Sequence, residues 1–193
     1  ICEGLVGSEM CIRDRLKTII YSPGDPAGIG PDIFLSLMHE GFFEYIKANV
    51  VCMGDKELFH SRSKELGYSL EINSFSNIND INEKVGFLEI IKCHDISSGI
   101  LNSTNSEYVI ENLDFAIDTC IKKMGFGLVT GPISKENIIE GGYSFSGHTE
   151  RIMQKTNSDN VLMLLASERL KVALATTHML SLIHISEPTR PSQ

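Results

Sequence analysis

The stretch that most constrains the fold of this chain is residues 130–150, which read TGPISKENIIEGGYSFSGHTE. A short apolar run before it, residues 126–129, predicts a buried strand. That strand must break at Gly131-Pro132, because proline has no backbone N–H for a sheet and glycine tolerates a tight bend. Ser134 can then cap a short helix, and the Gly141-Gly142 pair predicts its end. The stretch therefore predicts a strand, a tight turn and a helix in immediate succession.

A second loop in the same stretch brings His148 and Thr149 to the start of another predicted helix. The first backbone N–H groups of a helix have no partner within it and favour an anion. An imidazole, a hydroxyl and a helix N-terminus together indicate phosphate or carboxylate binding. These residues alone leave a structural alternative open, because Gly-rich turns are common in α/β proteins and a lone histidine is most often structural.

A Gly- and Pro-rich loop, residues 22–31 (SPGDPAGIGP), follows a predicted strand over residues 18–21 and leads into a helix that starts at Pro31. Its tip is expected at the carboxyl end of the sheet, where open α/β folds bind ligands. The loop lacks the Gly-Lys-Ser/Thr of a Walker loop and the GxGxxG spacing of a dinucleotide-binding turn. It therefore indicates a ligand-binding edge without identifying the ligand.

Strands and helices alternate along the rest of the chain. Further predicted strands cover residues 49–53, 70–72, 86–91, 161–165 and 172–175, and a further helix covers residues 55–66. Helical periodicity is clearest over residues 103–124, with Ser103 or Thr104 as the cap and an apolar stripe that predicts core packing. The alternation predicts an α/β fold in αβα layers, with a parallel or mixed sheet covered on both faces.

Four segments together resemble one enzyme family. They are SPGDPAGIGP at residues 22–31, TGPISK at 130–135, SGHTE at 146–150 and VALATTH at 172–178. In this order and spacing they resemble the 4-hydroxythreonine-4-phosphate dehydrogenase family of vitamin B6 synthesis, from about residue 19 to His178. The resemblance implies an isocitrate/isopropylmalate dehydrogenase-like fold that is truncated in this chain.

The resemblance also implies an activity, its cofactors and its site residues. The activity is oxidation, with decarboxylation, of 4-phosphooxy-threonine in pyridoxal phosphate biosynthesis, using NAD and a divalent metal (zinc, cobalt or magnesium). His148 and Thr149 match the family's substrate-binding residues, and His178 matches its first metal-binding histidine. Supporting roles are expected for Asp25, Lys135 and Glu150. The family forms a homodimer with a shared active site, and its other metal ligands lie in the half that this sequence does not reach, so the chain alone is expected to be inactive.

Three other functions remain compatible with the motifs. A paralogous dehydrogenase of another phosphorylated hydroxy acid would use the same phosphate- and metal-binding residues. A phosphotransacetylase-like acyl transferase has a related fold but needs no metal-binding histidine, so His178 argues against it. A non-catalytic anion-binding module would need no further histidines downstream, whereas the dehydrogenase would.

The two ends of the sequence are related to each other through their DNA. Residues 5–15 (LVGSEMCIRDR) can be encoded by DNA whose reverse complement encodes LSLIHISEPTR, which is residues 180–190. Neither folding nor function produces such a relation, so we expect segments 1–15 and 180–193 to be non-native tails read from an adapter. Between them we expect an incomplete first α/β domain over residues 16–126. The start of a second α/β domain, carrying the site motifs, is expected over residues 127–179.

Charge and cysteine content narrow the class of partner. A net charge of −8 at pH 7 argues against nucleic acid or an anionic membrane and favours a cytoplasmic protein that binds a small phosphorylated substrate. The cysteines between the expected tails, Cys52, Cys93 and Cys120, show no CxxC spacing, so the sequence predicts no zinc cluster. No apolar run approaches the roughly 20 residues of a membrane span.

Overall fold

A computed structural model describes residues 17–81 and 83–174 of the chain. The chain divides into two compact units between Gly147 and His148. Within the described ranges, no helix combines the length and the apolar character needed to cross a lipid bilayer.

The first unit is built on a five-stranded, entirely parallel sheet. In chain order its strands are β1 (Lys17–Ser22), β2 (Ala48–Met53), β3 (Ser74–Phe75), β4 (Val85–Leu88) and β5 (Gly127–Thr130). Their order across the sheet is β3-β4-β2-β1-β5, with Ile20 opposite Val51 on one side and opposite Leu128 on the other. The predicted parallel α/β sheet is confirmed.

The described part of the first unit has four α-helices, three between these strands and one after the last: α1 (Gly30–His39), α2 (Lys56–Glu65), α3 (Ser106–Ile121) and α4 (Lys135–Glu140). Pro31 lies in the first turn of α1, where its missing N–H costs nothing. The Asp55 carboxylate caps α2 by accepting the Glu57 N–H at 2.8 Å. The Ser134 hydroxyl caps α4, as the sequence predicts.

The two faces of the sheet bury different side chains, because successive residues of a strand point to opposite faces. On one face Phe34 of α1 stacks on Tyr21, with ring centroids 5.0 Å apart, and meets Phe87 edge-on at 5.6 Å. Burial and the neighbouring Cys52 raise the pKa of Tyr21 to about 12, so its hydroxyl stays protonated and donates to the Gly30 carbonyl.

On the opposite face an aliphatic cluster packs beneath α3. Its fully buried members are Ile20, Val51, Met53, Leu88 and Ala116. Burying such side chains contributes roughly 1.5–3 kcal/mol for each large one, so this cluster supplies much of the stability of the unit.

The order of the strands creates a topological switch point between β1 and β5. From β1 the chain proceeds to β2 and outward to the edge formed by β3, and α3 then carries it back to β5 on the other side of β1. Open α/β sheets bind ligands in the crevice outside the carboxyl ends of the strands at such a point. Both Gly-containing motifs, residues 22–31 and 130–135, begin there.

The second unit contains α5 (His148–Lys155) and an antiparallel pair of strands, β6 (Met163–Ala166) and β7 (Lys171–Leu174). The sequence predicts these two strands as buried. Most of their side chains are exposed, including Leu164, Leu165 and Val172. A tight connection of four residues joins them, which permits only antiparallel pairing.

Several boundaries differ from the sequence predictions; the strand expected over residues 86–91, for example, is Val85–Leu88. The strand expected over residues 70–72 forms instead at Ser74–Phe75, although Ile72 is buried. The helix expected over residues 103–124 begins as a 3₁₀ turn capped by Asn102, whose short amide side chain accepts the Thr104 N–H, and its α-helical part ends at Ile121. The sequence predicts residues 127–147 in a second domain, whereas β5 pairs with β1 in the first sheet and the first compact unit extends to Gly147.

Candidate functional site

The loop after β1 and the turn after β5 are in direct backbone contact. The Asp25 N–H donates to the Pro132 carbonyl at 3.3 Å. Gly24 has a φ of 80°, and a Cβ at this position would overlap that same carbonyl oxygen. A Cβ on Gly131 would overlap the Pro23 carbonyl. The glycines of SPGD and TGP are therefore required because two backbones meet there.

The Asp25 carboxylate lies buried beneath this contact. Its Oδ1 accepts the Ala27 N–H at 3.0 Å, and its Oδ2 accepts a hydrogen bond from Asn137 Nδ2 at 3.2 Å. Burial raises the pKa of Asp25 above its usual value of 3.8, and the two hydrogen bonds oppose that rise. The carboxyl group thus connects the first motif to α4, which follows the second motif.

Asn137 is held through both its side chain and its backbone. Its side chain donates to Asp25, and its backbone carbonyl accepts the Ser106 hydroxyl at 3.0 Å. Ser106 is the first residue of α3, and a Cβ on Gly141 would overlap its side chain. Helix α4 is therefore fixed against both the Gly-rich loop and the N-terminus of α3.

A buried arginine supports the other side of the Gly-rich loop. Arg62 of α2 pairs through Nε with Asp32 at 2.5 Å, and its terminal nitrogen donates to the carbonyls of Ala27 (3.5 Å) and Gly28 (3.3 Å). A planar guanidinium can satisfy a carboxylate and two carbonyls at once. The loop is thereby held without regular secondary structure of its own.

A cleft of about 210 Å³ lies beside Arg62. The Cys93 thiol at its wall donates to Asp55 Oδ2 at 3.3 Å. Burial, followed by the charge of Asp55, raises the pKa of this thiol far above its usual value. Cys93 is therefore a neutral thiol, and the cleft offers no activated sulfur nucleophile.

The structure describes all but one of the predicted site residues. His148 and Thr149 are half-buried at the start of α5 in the second unit, followed by Glu150. Lys135 is exposed as the first residue of α4. His178 lies outside the described residues. The structure brings Asp25 together with the second motif, and it places His148 beside Thr149 on one helix end.

Within residues 17–81 and 83–174, no three His, Cys, Asp or Glu side chains lie close enough to hold a metal ion. The donor set expected for a metal, His178 with ligands from elsewhere, is therefore not contained in the part of the chain that the structure describes.

Sequence reasoning missed Arg62 and Asn137, the buried polar partners of the Gly-rich loop, and Ser106, which bonds to Asn137. Asn137 offered a weak signal, because it lies two residues after the second motif, at the third helical position after a capping serine. Arg62 offered no sequence signal of its burial, because a charged residue on a polar helix is normally solvent-exposed.

Comparison with known proteins identifies a family. The sequence profile described as "Pyridoxal phosphate biosynthetic protein PdxA" matches residues 46–190, and so includes part of the segment expected to be a C-terminal tail. The chain is 36% identical over 167 residues to the 4-hydroxythreonine-4-phosphate dehydrogenase of Sodalis glossinidius, covering 84% of this chain and 49% of that protein. It is 37% identical over 164 residues to that of Saccharophagus degradans, covering 83% and 48%. The chain thus spans about half the length of these curated relatives.

Solved structures share the fold. The crystal structure of a 4-hydroxythreonine-4-phosphate dehydrogenase from Burkholderia phymatum superposes with a TM-score of 0.73 at 22% identity, covering 86% of this chain and 51% of that one. The enzyme of that name from Klebsiella pneumoniae gives 0.71 at 22% identity, covering 81% and 50%. The predicted fold class is confirmed.

Proposed function

The chain belongs to the PdxA family of pyridoxal phosphate biosynthetic proteins, and from that premise we propose that the full-length protein is a 4-hydroxythreonine-4-phosphate dehydrogenase. The reaction is the NAD- and metal-dependent oxidation of 4-phosphooxy-threonine, with decarboxylation, in pyridoxal phosphate biosynthesis. The observation that carries the proposal is the family match over residues 46–190, supported by relatives of that name at 36% and 37% identity.

The proposed reaction balances with NAD as the oxidant. The carbon that bears the hydroxyl group transfers a hydride to NAD, and the hydroxyl proton passes to a base. The product is a β-keto acid, which readily loses its carboxyl group as CO₂. Among the residues described, none is assigned as the base.

The residues of this chain bind and position the phosphorylated substrate. We assign phosphate binding to His148 and Thr149, because they begin a helix and a helix N-terminus favours an anion. α5 has eight residues, and its positive end reinforces that attraction. Lys135 is a cation at the carboxyl edge of β5 and has a supporting role, as does Glu150.

The metal and the dimer belong to the full-length protein. His178 would supply one ligand for zinc, cobalt or magnesium, and the remaining ligands would come from the half of the family length that this chain lacks. A bound divalent ion would polarise the reacting oxygen. We also propose a cytoplasmic homodimer with a shared active site; the free thiols of Cys52, Cys93 and Cys120 fit that compartment.

The experiment that tests this function is a substrate comparison with the product of the recovered full-length gene. We expect NADH formation with 4-phosphooxy-threonine to exceed that with a four-carbon sugar-acid phosphate, and we expect the unphosphorylated amino acid to react poorly. Preference for the sugar-acid phosphate would assign the protein to a paralogous dehydrogenase. Acyl transfer without NAD reduction would overturn the proposal.

A further inference from the structure

The buried polar side chains of the described residues include Asp25, Asn105, Ser106 and Asn137, each at most 6% exposed. Buried polar groups are retained in proteins when they are hydrogen-bonded. Each of these four side chains forms a hydrogen bond with a segment other than its own turn. Their partners therefore show which segments are connected.

The segment after β4 is tied to the start of α3. The His94 N–H donates to Asn105 Oδ1 at 2.8 Å, and Asn105 Nδ2 donates back to the His94 carbonyl at 2.7 Å. The next residue, Ser106, donates to the Asn137 carbonyl at 3.0 Å. Two adjacent side chains thus join the loop after β4 to α4.

The remaining contacts close a circle. Asn137 donates to Asp25, and Asp25 accepts the Ala27 N–H. The Ala27 carbonyl accepts the Gly99 N–H at 2.8 Å, and Gly99 lies five residues after His94 in the same loop. We call this closed set of contacts the loop ring; its members are Asp25, Ala27, His94, Gly99, Asn105, Ser106 and Asn137.

We propose that the loop ring couples the loops after β1 and β4 and helix α4 into one mechanical unit, and that Asp25 and Asn137 are positioning residues for the substrate-binding edge. Ordinary caps and turns connect residues within about four positions. The bond from Asn137 to Asp25 spans 112 positions and that from Ser106 to Asn137 spans 31. Contacts of this range fix loops relative to one another.

Position matters here because the loop after β1 and helix α4, which follows β5, lie at the switch point. Helix α4 ends at Glu140, and residues 141–147 follow it within the first unit. Displacing a catalytic or binding group by about 1 Å can lower a rate by on the order of a hundredfold. This kinetic consequence rests on the proposed function, whereas the coupling of the loops does not.

Exchanging the two partners tests the coupling in the full-length protein. Asn137→Asp places a carboxylate against that of Asp25 and opens the ring by like-charge repulsion. In the double variant Asp25→Asn/Asn137→Asp, the amide at 25 accepts from Ala27 and donates to the new carboxylate, which closes the ring again. Asp25→Asn alone is expected to have a small effect on the loop ring, because the Asn137 amide can rotate so that its oxygen accepts a hydrogen bond from the amide at position 25.

The readout is hydrogen exchange of the peptide spanning residues 94–101, in which the Gly99 amide donates to the Ala27 carbonyl and not to a substituted side chain. We expect Asn137→Asp to speed exchange of the Gly99 amide by about tenfold, as for loss of one buried hydrogen bond. The double variant should return it to the wild-type rate. Asn77→Ala, which removes a local bond to the Asn79 N–H at 2.9 Å outside the ring, is the matched control and should leave it unchanged.

The kinetics of the same variants test whether the loop ring affects catalysis. We expect Asn137→Asp to lower kcat/KM for the phosphorylated substrate by about tenfold and the double variant to restore it. An enzyme inactive in every form would refute the proposed function and leave the exchange result standing. Unchanged exchange at residues 94–101, or a double variant that fails to restore it, would overturn the loop ring. If Asn137→Asp does not fold, a folded double variant supports the ring and an unfolded one refutes it.

Discussion

Gly131 shows how a single missing side chain lets the two motifs meet. Its Cα faces the Pro23 carbonyl across the contact between the loop after β1 and the turn after β5. We expect Gly131→Ala to destabilise the protein by about 1–3 kcal/mol, the usual cost of forcing atoms into a filled space. Chemical denaturation measures this cost. Gly127→Ala is the control, because no atom lies within 4 Å of its added Cβ. Equal stability of the two variants would show that the loops separate easily.

Asp25 gives the stability a defined pH dependence. Burial raises its pKa in the folded state above 3.8, so the folded protein holds this proton more tightly than the unfolded chain. The contribution of Asp25 to stability is therefore fully present below the unfolded pKa and is lost as pH rises through the folded pKa. We expect the free energy of unfolding of the wild type, relative to Asp25→Asn, to fall as the pH rises above the unfolded value of 3.8. A relative stability that grows with pH would reverse the sign of the assigned shift.

His148 is the residue on which the proposed phosphate site depends most. In the full-length enzyme, His148→Ala is expected to raise the KM for the phosphorylated substrate, at a cost of about 1.5–3 kcal/mol for a charge-assisted hydrogen bond. Steady-state kinetics give this value directly. His60→Ala, on an exposed position of α2, is the matched control. Wild-type kinetics in both variants would mean that the loop before α5 is structural.

At the scale of elements, α3 is the helix that sequence periodicity predicts best. Leu113 is fully buried in its centre, while Phe115 is partly exposed two residues later. We expect Leu113→Ala to cost about 2–5 kcal/mol through the cavity it leaves, and Phe115→Ala to cost much less. Thermal unfolding compares the two. Similar losses would indicate that α3 packs in a different rotation.

Local sequence patterns predict helices, strands and turns well where neighbouring residues determine the structure. The strand and turn at residues 126–132 and the cap at Ser134 follow from nearby residues, and the structure has them. The ends of α3 were less predictable, because Asn102 begins the preceding turn and Ile121 and Met124 are exposed despite fitting the apolar stripe. The long-range bonds of Asn137 have no local signature, so the link between the two motifs could be seen only in the fold.

At the scale of the whole molecule, the described residues supply one parallel sheet with its switch point, and a second unit with exposed apolar strands. The family match and the fold agree with the sequence prediction, while His178 and the expected tails stay predictions outside the described residues. A catalytic divalent metal normally takes three protein ligands. The 193-residue chain offers one residue matched to such a ligand.

We therefore expect this chain alone to bind zinc weakly, with a chelator removing the metal readily. Isothermal titration of the purified chain measures the affinity, and His178→Ala is the comparison. Binding tighter than about micromolar at one site per chain, abolished by His178→Ala, would contradict the count of ligands.

NADH formation tests the central claim most directly, measured by absorbance with 4-phosphooxy-threonine and a divalent metal. The 193-residue chain and the full-length gene product are assayed side by side at equal concentration. We predict steady NADH formation by the full-length protein, lost on adding a chelator, and none by the chain alone. No NADH from the full-length protein, or equal rates from both, would contradict the account.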